Sequence, residues 1–310
     1  MTDRSLMHMA PLARWSSRIA VFSAGLLLVG IVLHRLTSFP TPVALNLFRV
    51  SLVGGGLAIL VGLVALFQIW RRGYLGTASA AVGILLPILA WAWPLTYVPT
   101  ALRTPPINDV TTDLSAPPRF VVLLRQRGDG ANPAAYPSAR FAEEQQKAYP
   151  DLRTFILDRS AQEAFELVED AVRKLKWKVV VAEPPLARPA RAGTLEATDQ
   201  TLVVGFVDDI VIRVEGSAAR ARVDVRSASR YGTHDLGQNA ARVRRFLTEL
   251  QARADSIAPA GVAGRRALST SRALVRRVKE RDQRKAASRN ARDPAQSSAQ
   301  RARAQKELQR

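Results

Sequence analysis

The chain has 310 residues, no cysteine and a net charge of +19, with 47 % of its residues hydrophobic. That length accommodates a membrane anchor and one ordinary soluble domain, and the missing cysteine excludes disulfides and thiolate metal sites. The charge is unevenly spread: residues 1–100 hold seven Arg against one acid, 101–254 hold 23 basic against 20 acidic side chains, and 255–310 hold 15 against five. The globular stretch is therefore nearly balanced, which argues against nucleic acid as its partner.

Three apolar runs open the chain, Ile19–Leu33, Val50–Ile69 and Ala78–Val98. A helix needs about 20 mostly apolar residues to span the hydrocarbon. The second and third runs reach that length. The first reaches it when Ser16, Ser17, Arg18 and His34–Leu36 sit at the interfaces and their polar ends snorkel. A signal peptide is excluded by the lack of a small-residue cleavage site and by the two apolar runs that follow. Trp15, Trp70, Tyr74, Trp91, Trp93 and Tyr97 mark helix ends at the headgroup level. Arg4, Arg14 and Arg18 before the first run, and Arg71 and Arg72 after the second, outweigh Arg35 and Arg49 of the first loop and place the N-terminus and second loop in the cytoplasm. Three crossings then put everything beyond residue 100 outside it. The runs carry almost no interior charge, which favours an anchor over a transporter. Gly54–Gly56 and Gly62 read as a close helix-packing surface.

Residues 101–150 read as a Pro-rich linker, since X-Pro pairs favour extended or turn geometry. Phe120–Leu124 is a short apolar run with the look of an edge strand. Asp109 and Asp113 are too few to hold a hard cation, and Asp and Thr here close turns onto the backbone.

Residues 151–254 read as a soluble domain. Arg153–Leu157 is a strand, and Asp158 or Ser160 caps a helix, with Glu163 in capping-box spacing from Ser160. Ala161, Ala164, Phe165, Val168, Val172 and Leu175 give that helix one apolar stripe. Trp177–Ala182 is a strand. Gly193–Thr198 and Thr201–Phe206 form a hairpin around Asp199-Gln200. Asp209–Glu215 and Arg220–Ser227 form a second hairpin, and a helix runs from about Leu236 to Arg253. The economical arrangement is α+β: a three-helix transmembrane anchor, then a two-layer antiparallel sheet with two helices packed on one face. Alternation sends Ile210, Ile212 and Val214 to the helices, and Asp209, Val211 and Arg213 to an open face.

The blocks Gly193–Thr198, Gly205–Val214, Asp224–Arg230 and Asp235–Arg244 resemble, in order, the bacterial and plant family called domain of unknown function 1499. The resemblance covers about residues 103–252, including Asn108-Asp-Val-Thr-Thr-Asp113. It implies this fold and these boundaries, and no established activity.

The candidate ligand-binding residues are Asp208, Asp209, Arg213, Asp224, Arg226, Arg230, Asp235 and Asn239. Asp208 and Asp209 are adjacent on a strand, so they point to opposite faces and form no dyad. Asp208 faces the helices and needs a partner such as Arg230, Arg242 or backbone amides. Asp235 reads as a helix cap, and Arg230 beside a helix start suits an anion. His234 is the domain's lone histidine, so zinc lacks ligands, and no Gly-x-Ser-x-Gly elbow is present. No cofactor or metal is expected.

Residues 255–310 read as a solvated basic tail. It lacks the aromatics for base stacking and suits anionic lipids or envelope polymers. The expectation is an integral protein of the bacterial inner (cytoplasmic) membrane. Its periplasmic domain would bind or scaffold without catalysis. The alternatives are an envelope hydrolase using Asp208, Asp209 and Arg226, and, more weakly supported, a small-molecule transporter.

Overall fold

The computed structural model describes residues 9–37, 39–186 and 191–256. The expected basic tail therefore falls outside the described residues, apart from its first two.

Three helices, α1 (Pro11–Leu36), α2 (Thr41–Arg72) and α3 (Thr77–Leu95), pack against one another. Each is long and apolar enough to cross a membrane. Pro in the first turn opens α1 and α2, where its missing N–H would have no partner anyway. Gly73 closes α2 in the left-handed region at φ 69°, donating to the Ile69 carbonyl. The shared surface is built from small residues: Ala13, Ser16, Ala20 and Ser23 on α1, Gly55, Ala58, Gly62 and Ala65 on α2, and Ala80 and Gly83 on α3. Ser16 Oγ donates to the Ala58 carbonyl at 2.8 Å and Ser51 Oγ to the Ser23 carbonyl at 2.7 Å. Small side chains and interhelical hydroxyl bonds are what hold helices together where water gives no hydrophobic drive. The large apolar side chains point outward instead, Phe22 being 66 % and Leu89 71 % exposed.

A short helix α4 (Val98–Arg103) leads into a six-stranded antiparallel sheet. Its strands are β1 (Asp109–Thr111), β2 (Phe155–Leu157), β3 (Lys178–Glu183), β4 (Gly193–Gln200), β5 (Val207–Gly216) and β6 (Ala221–Ser229). The order is β1-β6-β5-β4-β3, and β2 pairs with the other half of β6. Helices α6 (Ala161–Lys174) and α7 (Gln238–Ser256) cover one face, which confirms the expected α+β arrangement. Ser160 caps α6 with the full capping box: its Oγ accepts from the Glu163 amide, and Glu163 accepts from the Ser160 amide. The helix face buries Ile210, Ile212, Val214, Val223 and Val225, and Trp177 stacks on Phe246 of α7 at 5.7 Å.

Two local features differ from the pattern reading. Thr201–Phe206 is a reversal, not a strand, and β4 pairs directly with β5. Gly205 sits at φ 82°, a conformation other residues resist, and the Phe206 amide donates to Thr201 Oγ1 while its carbonyl accepts from the Thr201 amide. The Leu202–Val204 run looked like a strand because it is apolar, but Leu202 and Val203 are exposed and it is the Val204 carbonyl that meets His34 of α1. Phe120–Leu124 is likewise no strand, since Leu123–Gln126 forms a 3-10 turn.

The second sheet face, expected to be open, is covered. Phe120 and Leu123 pack on Val211 and Ala228, with Ala134 alongside. Residues 113–136 thus form a strap across the charged face. Helix α5 (Ser138–Ala148) then shields the β1 edge: the Gln145 side chain accepts from the Thr111 amide at 3.0 Å and donates to its carbonyl at 2.6 Å. A side-chain amide here replaces a neighbouring strand, one way of blunting an exposed edge.

Candidate functional site

The eight residues singled out from the sequence fall into two groups on opposite sheet faces. Asp208, Asp235 and Asn239 lie on the α7 side. Arg242 of α7 donates to Asp208 at 2.6 Å, to Asp199 at 2.8 Å, to Asn239 Oδ1 at 2.8 Å and to Ser227 Oγ at 3.1 Å. Asn239 donates in turn to the Asn108 carbonyl and to Ser229 Oγ. Burial raises the Asp208 carboxyl above its ordinary value, against the pull of Arg242. Asp235 is also raised by burial, opposed by the amides of Asn239 and Gly237 that it caps. It is a cap, as expected, although α7 begins only at Gln238.

Asp209, Arg213, Asp224, Arg226 and Arg230 lie beneath the strap. Arg226 makes a double bond pattern with Asp109, Nε to Oδ1 at 2.9 Å and Nη2 to Oδ2 at 2.6 Å, and also donates to the Pro118 and Ala134 carbonyls. Its guanidinium lies 4.7 Å from the Phe120 ring centre and 5.4 Å from that of Tyr136. Asp209 is held between Arg127 at 2.9 Å and Arg230 at 2.8 Å. Arg213 bridges Asp224 at 3.0 Å and Asp113 at 2.9 Å. Burial would raise Asp113, but the amides of Ala116 and Ser115 and the Arg213 guanidinium outweigh it and hold the carboxyl low. Asp113 thus closes a turn, the role expected from the sequence.

Glu196 is the feature pattern reading missed. Its carboxylate is fully buried and accepts from three consecutive amides, Val121 and Leu123 at 2.7 Å and Val122 at 3.1 Å. A carboxylate at the start of a helical turn satisfies amides that have no partner within the turn. No local signal announces it, because its partners lie more than 70 residues earlier.

His234 uses both ring nitrogens: Nδ1 accepts from the Leu236 amide, which leaves Nε2 to donate to the Ala101 carbonyl at 3.1 Å. It fastens α4 to the start of α7 rather than standing free as a base. Among the described residues no group of His, Asp and Glu is placed to hold a metal ion.

Two of the eight, Asp208 and Asp235, line a small cavity of about 260 Å³ with Ser229, His234 and Gln238; the larger concave spaces lie elsewhere. A cleft of about 650 Å³ opens beside β1 and α5, lined by Thr112, Gln145, Tyr149, Thr154 and Arg222 among others. A second cavity, of about 680 Å³, lies where α1–α3 meet the domain. None of the eight candidates lines either. The domain docks on the helices at that second place: His34 Nδ1 bonds the Val204 carbonyl at 2.7 Å, and its ring lies 5.2 Å from Phe206.

Residues 109–250 match the family model described as protein of unknown function, DUF1499. The match bears out the resemblance read from the sequence. It begins at the first residue of β1, so the strap and the Asp109–Arg226 pair lie inside the DUF1499 region. The three long helices lie outside it. No curated protein matches the chain.

Proposed function

We propose that this is a membrane-anchored binding or scaffold protein without catalytic activity, its domain held on the periplasmic side of a bacterial inner membrane. One observation carries the reading. The acids that a hydrolase would use are neutralised in place: Asp208 by Arg242 on one face, Asp209 by Arg127 and Arg230 on the other. Asp208, Asp209 and Arg226 share no space in which a substrate atom would meet them. Ion-pair networks of this kind serve structure as readily as active sites do. Apart from Pro87 and from His34 at the end of α1, which bonds the domain, the buried faces of α1–α3 carry Ala, Ser and Gly, which favours an anchor over a transport pathway. The side of the membrane rests on the arginine distribution. The basic run 255–310 is the second contact with anionic lipids or envelope polymers.

The test is a pair of fusions at Thr100 and after Arg310. Active alkaline phosphatase and dark fluorescent protein at both positions are expected. Fluorescent protein that lights at both would place the domain in the cytoplasm and overturn the compartment.

A further inference from the structure

The cavity of about 680 Å³ at the junction of helices and domain has two chemically different ends. Its volume lies within the range of about 300–1,000 Å³ usual for small-molecule sites. One end is apolar, walled by Leu27 and Ile31 of α1, Phe48 of α2, and Ala90 and Trp91 of α3. The other is polar, where the β4–β5 reversal and α7 bring Asp199, Gln200, Gln238, Arg242 and Arg245 together.

Three observations select the occupant. The apolar wall belongs to helices whose outer faces are exposed hydrocarbon, so the medium reaching it is the bilayer. Trp93 and Tyr97, ring centres 5.5 Å apart, also line the cavity and mark its depth, since such rings favour the headgroup level. The reversal then adds Leu202, 86 % exposed, and Val203 to the same space. Last is charge. Arg242 is taken up by Asp199 and Asp208. Arg245, exposed on α7, makes no hydrogen bond or ion pair among the described residues. A free guanidinium suits a phosphate oxygen pair.

We propose that this cavity holds one anionic phospholipid of the bilayer, an acyl chain at the Leu27–Trp91 end and the phosphate at Arg245. The inference deepens the binding reading above and rests on it for the placement of α1–α3 in a bilayer.

The test is native mass spectrometry of the full chain in mild detergent, titrated with phosphatidylglycerol or phosphatidylcholine. One phosphatidylglycerol per chain is expected to saturate first. It should bind about fivefold more tightly than phosphatidylcholine, which has the same phosphate but whose choline cation offsets the negative charge that Arg245 attracts. Arg245→Gln, an exposed change that leaves the fold alone, should erase that preference. Ala90→Phe, which fills the apolar end, should weaken both lipids. Equal binding of the two lipids overturns the proposal, as does an undiminished preference in Arg245→Gln. Displacement of the lipid by inorganic phosphate alone would assign the site to a free anion instead. A cytoplasmic domain in the fusion series would move the site to the other leaflet without removing it, so the two failures are distinguishable.

Discussion

Arg226 and Asp109 stand 117 residues apart in the chain and meet through two hydrogen bonds, with side chains 1 % and 4 % exposed. The pair ties β6 to β1 and lies beneath the strap, whose Pro118 and Ala134 carbonyls take two of the other guanidinium donors. Its consequence is asymmetric. Removing one partner leaves the other buried without a counter-charge, at a cost of about 3–5 kcal/mol, whereas replacing both with apolar groups is often neutral. Arg226→Met and Asp109→Leu should each lower the thermal midpoint of the detergent-purified chain sharply. The double variant should be more stable than either. Additive losses would show that the two residues act independently.

Glu196→Gln should open the strap locally. The substitution keeps one acceptor oxygen but turns an amide donor toward the Val121, Val122 and Leu123 amides. Bonds to a charged acceptor contribute roughly 1.5–3 kcal/mol, so hydrogen exchange at these amides should quicken by about tenfold or more. Exchange in β5, on the far side of the strap contact, should change far less. Unchanged protection at 121–123 would show that packing of Phe120 and Leu123 alone holds the strap.

Asp113 gives the strap a pH dependence whose sign is fixed. Its folded-state carboxyl is held below the unfolded value of 3.8, so ionised Asp113 stabilises the fold above that value. The contribution is lost as pH falls through the lower, folded-state value. Asp113→Asn should therefore lower the thermal midpoint of the detergent-purified chain, measured at each pH, at about pH 6 and not at about pH 2. Equal lowering at both would exclude the carboxylate as the anchor.

The helix bundle makes a simpler prediction. A Cβ on Gly83 would collide with Ser16, and one on Gly62 would come within 2.7 Å of Ser16 Oγ and Ile84, whereas Gly56 has open space around it. Overpacking costs about 1–3 kcal/mol where neighbours have to shift. Gly83→Leu should lower the temperature of aggregation in detergent, and Gly56→Leu should leave it unchanged. Matching effects would mean that helix propensity, not close approach, governs both.

Much of the fold is legible in the residues taken one segment at a time. The apolar runs give the long helices, although α1 and α2 extend well beyond them at both ends. Ser160 and Glu163 give the start of α6. The alternation Asp209, Val211, Arg213 against Ile210, Ile212, Val214 gives the two faces of β5, and the assignment of Asp208 to the helix side follows from it; of the partners expected for it, Arg230, Arg242 or backbone amides, the fold supplies Arg242, while Arg230 pairs with Asp209. The cover over the other face is not legible. Residues 113–136 have no period, and what fixes them is a set of single long-range bonds to Glu196, Asp209, Arg213 and Arg226.

The sequence by itself determined the long helices, α6, α7 and most of the strands, and which side of each is apolar, because those properties repeat at 3.6 or two residues and are written locally. Only the tertiary structure decided what lies on each face. It turned an expected open charged surface into a buried network under a strap, and it turned Thr201–Phe206 from a strand into a reversal whose Val204 carbonyl and Phe206 ring meet His34. The physical reason is the same in both cases. An acid or an apolar side chain states what kind of neighbour it needs, and only the folded chain supplies which one.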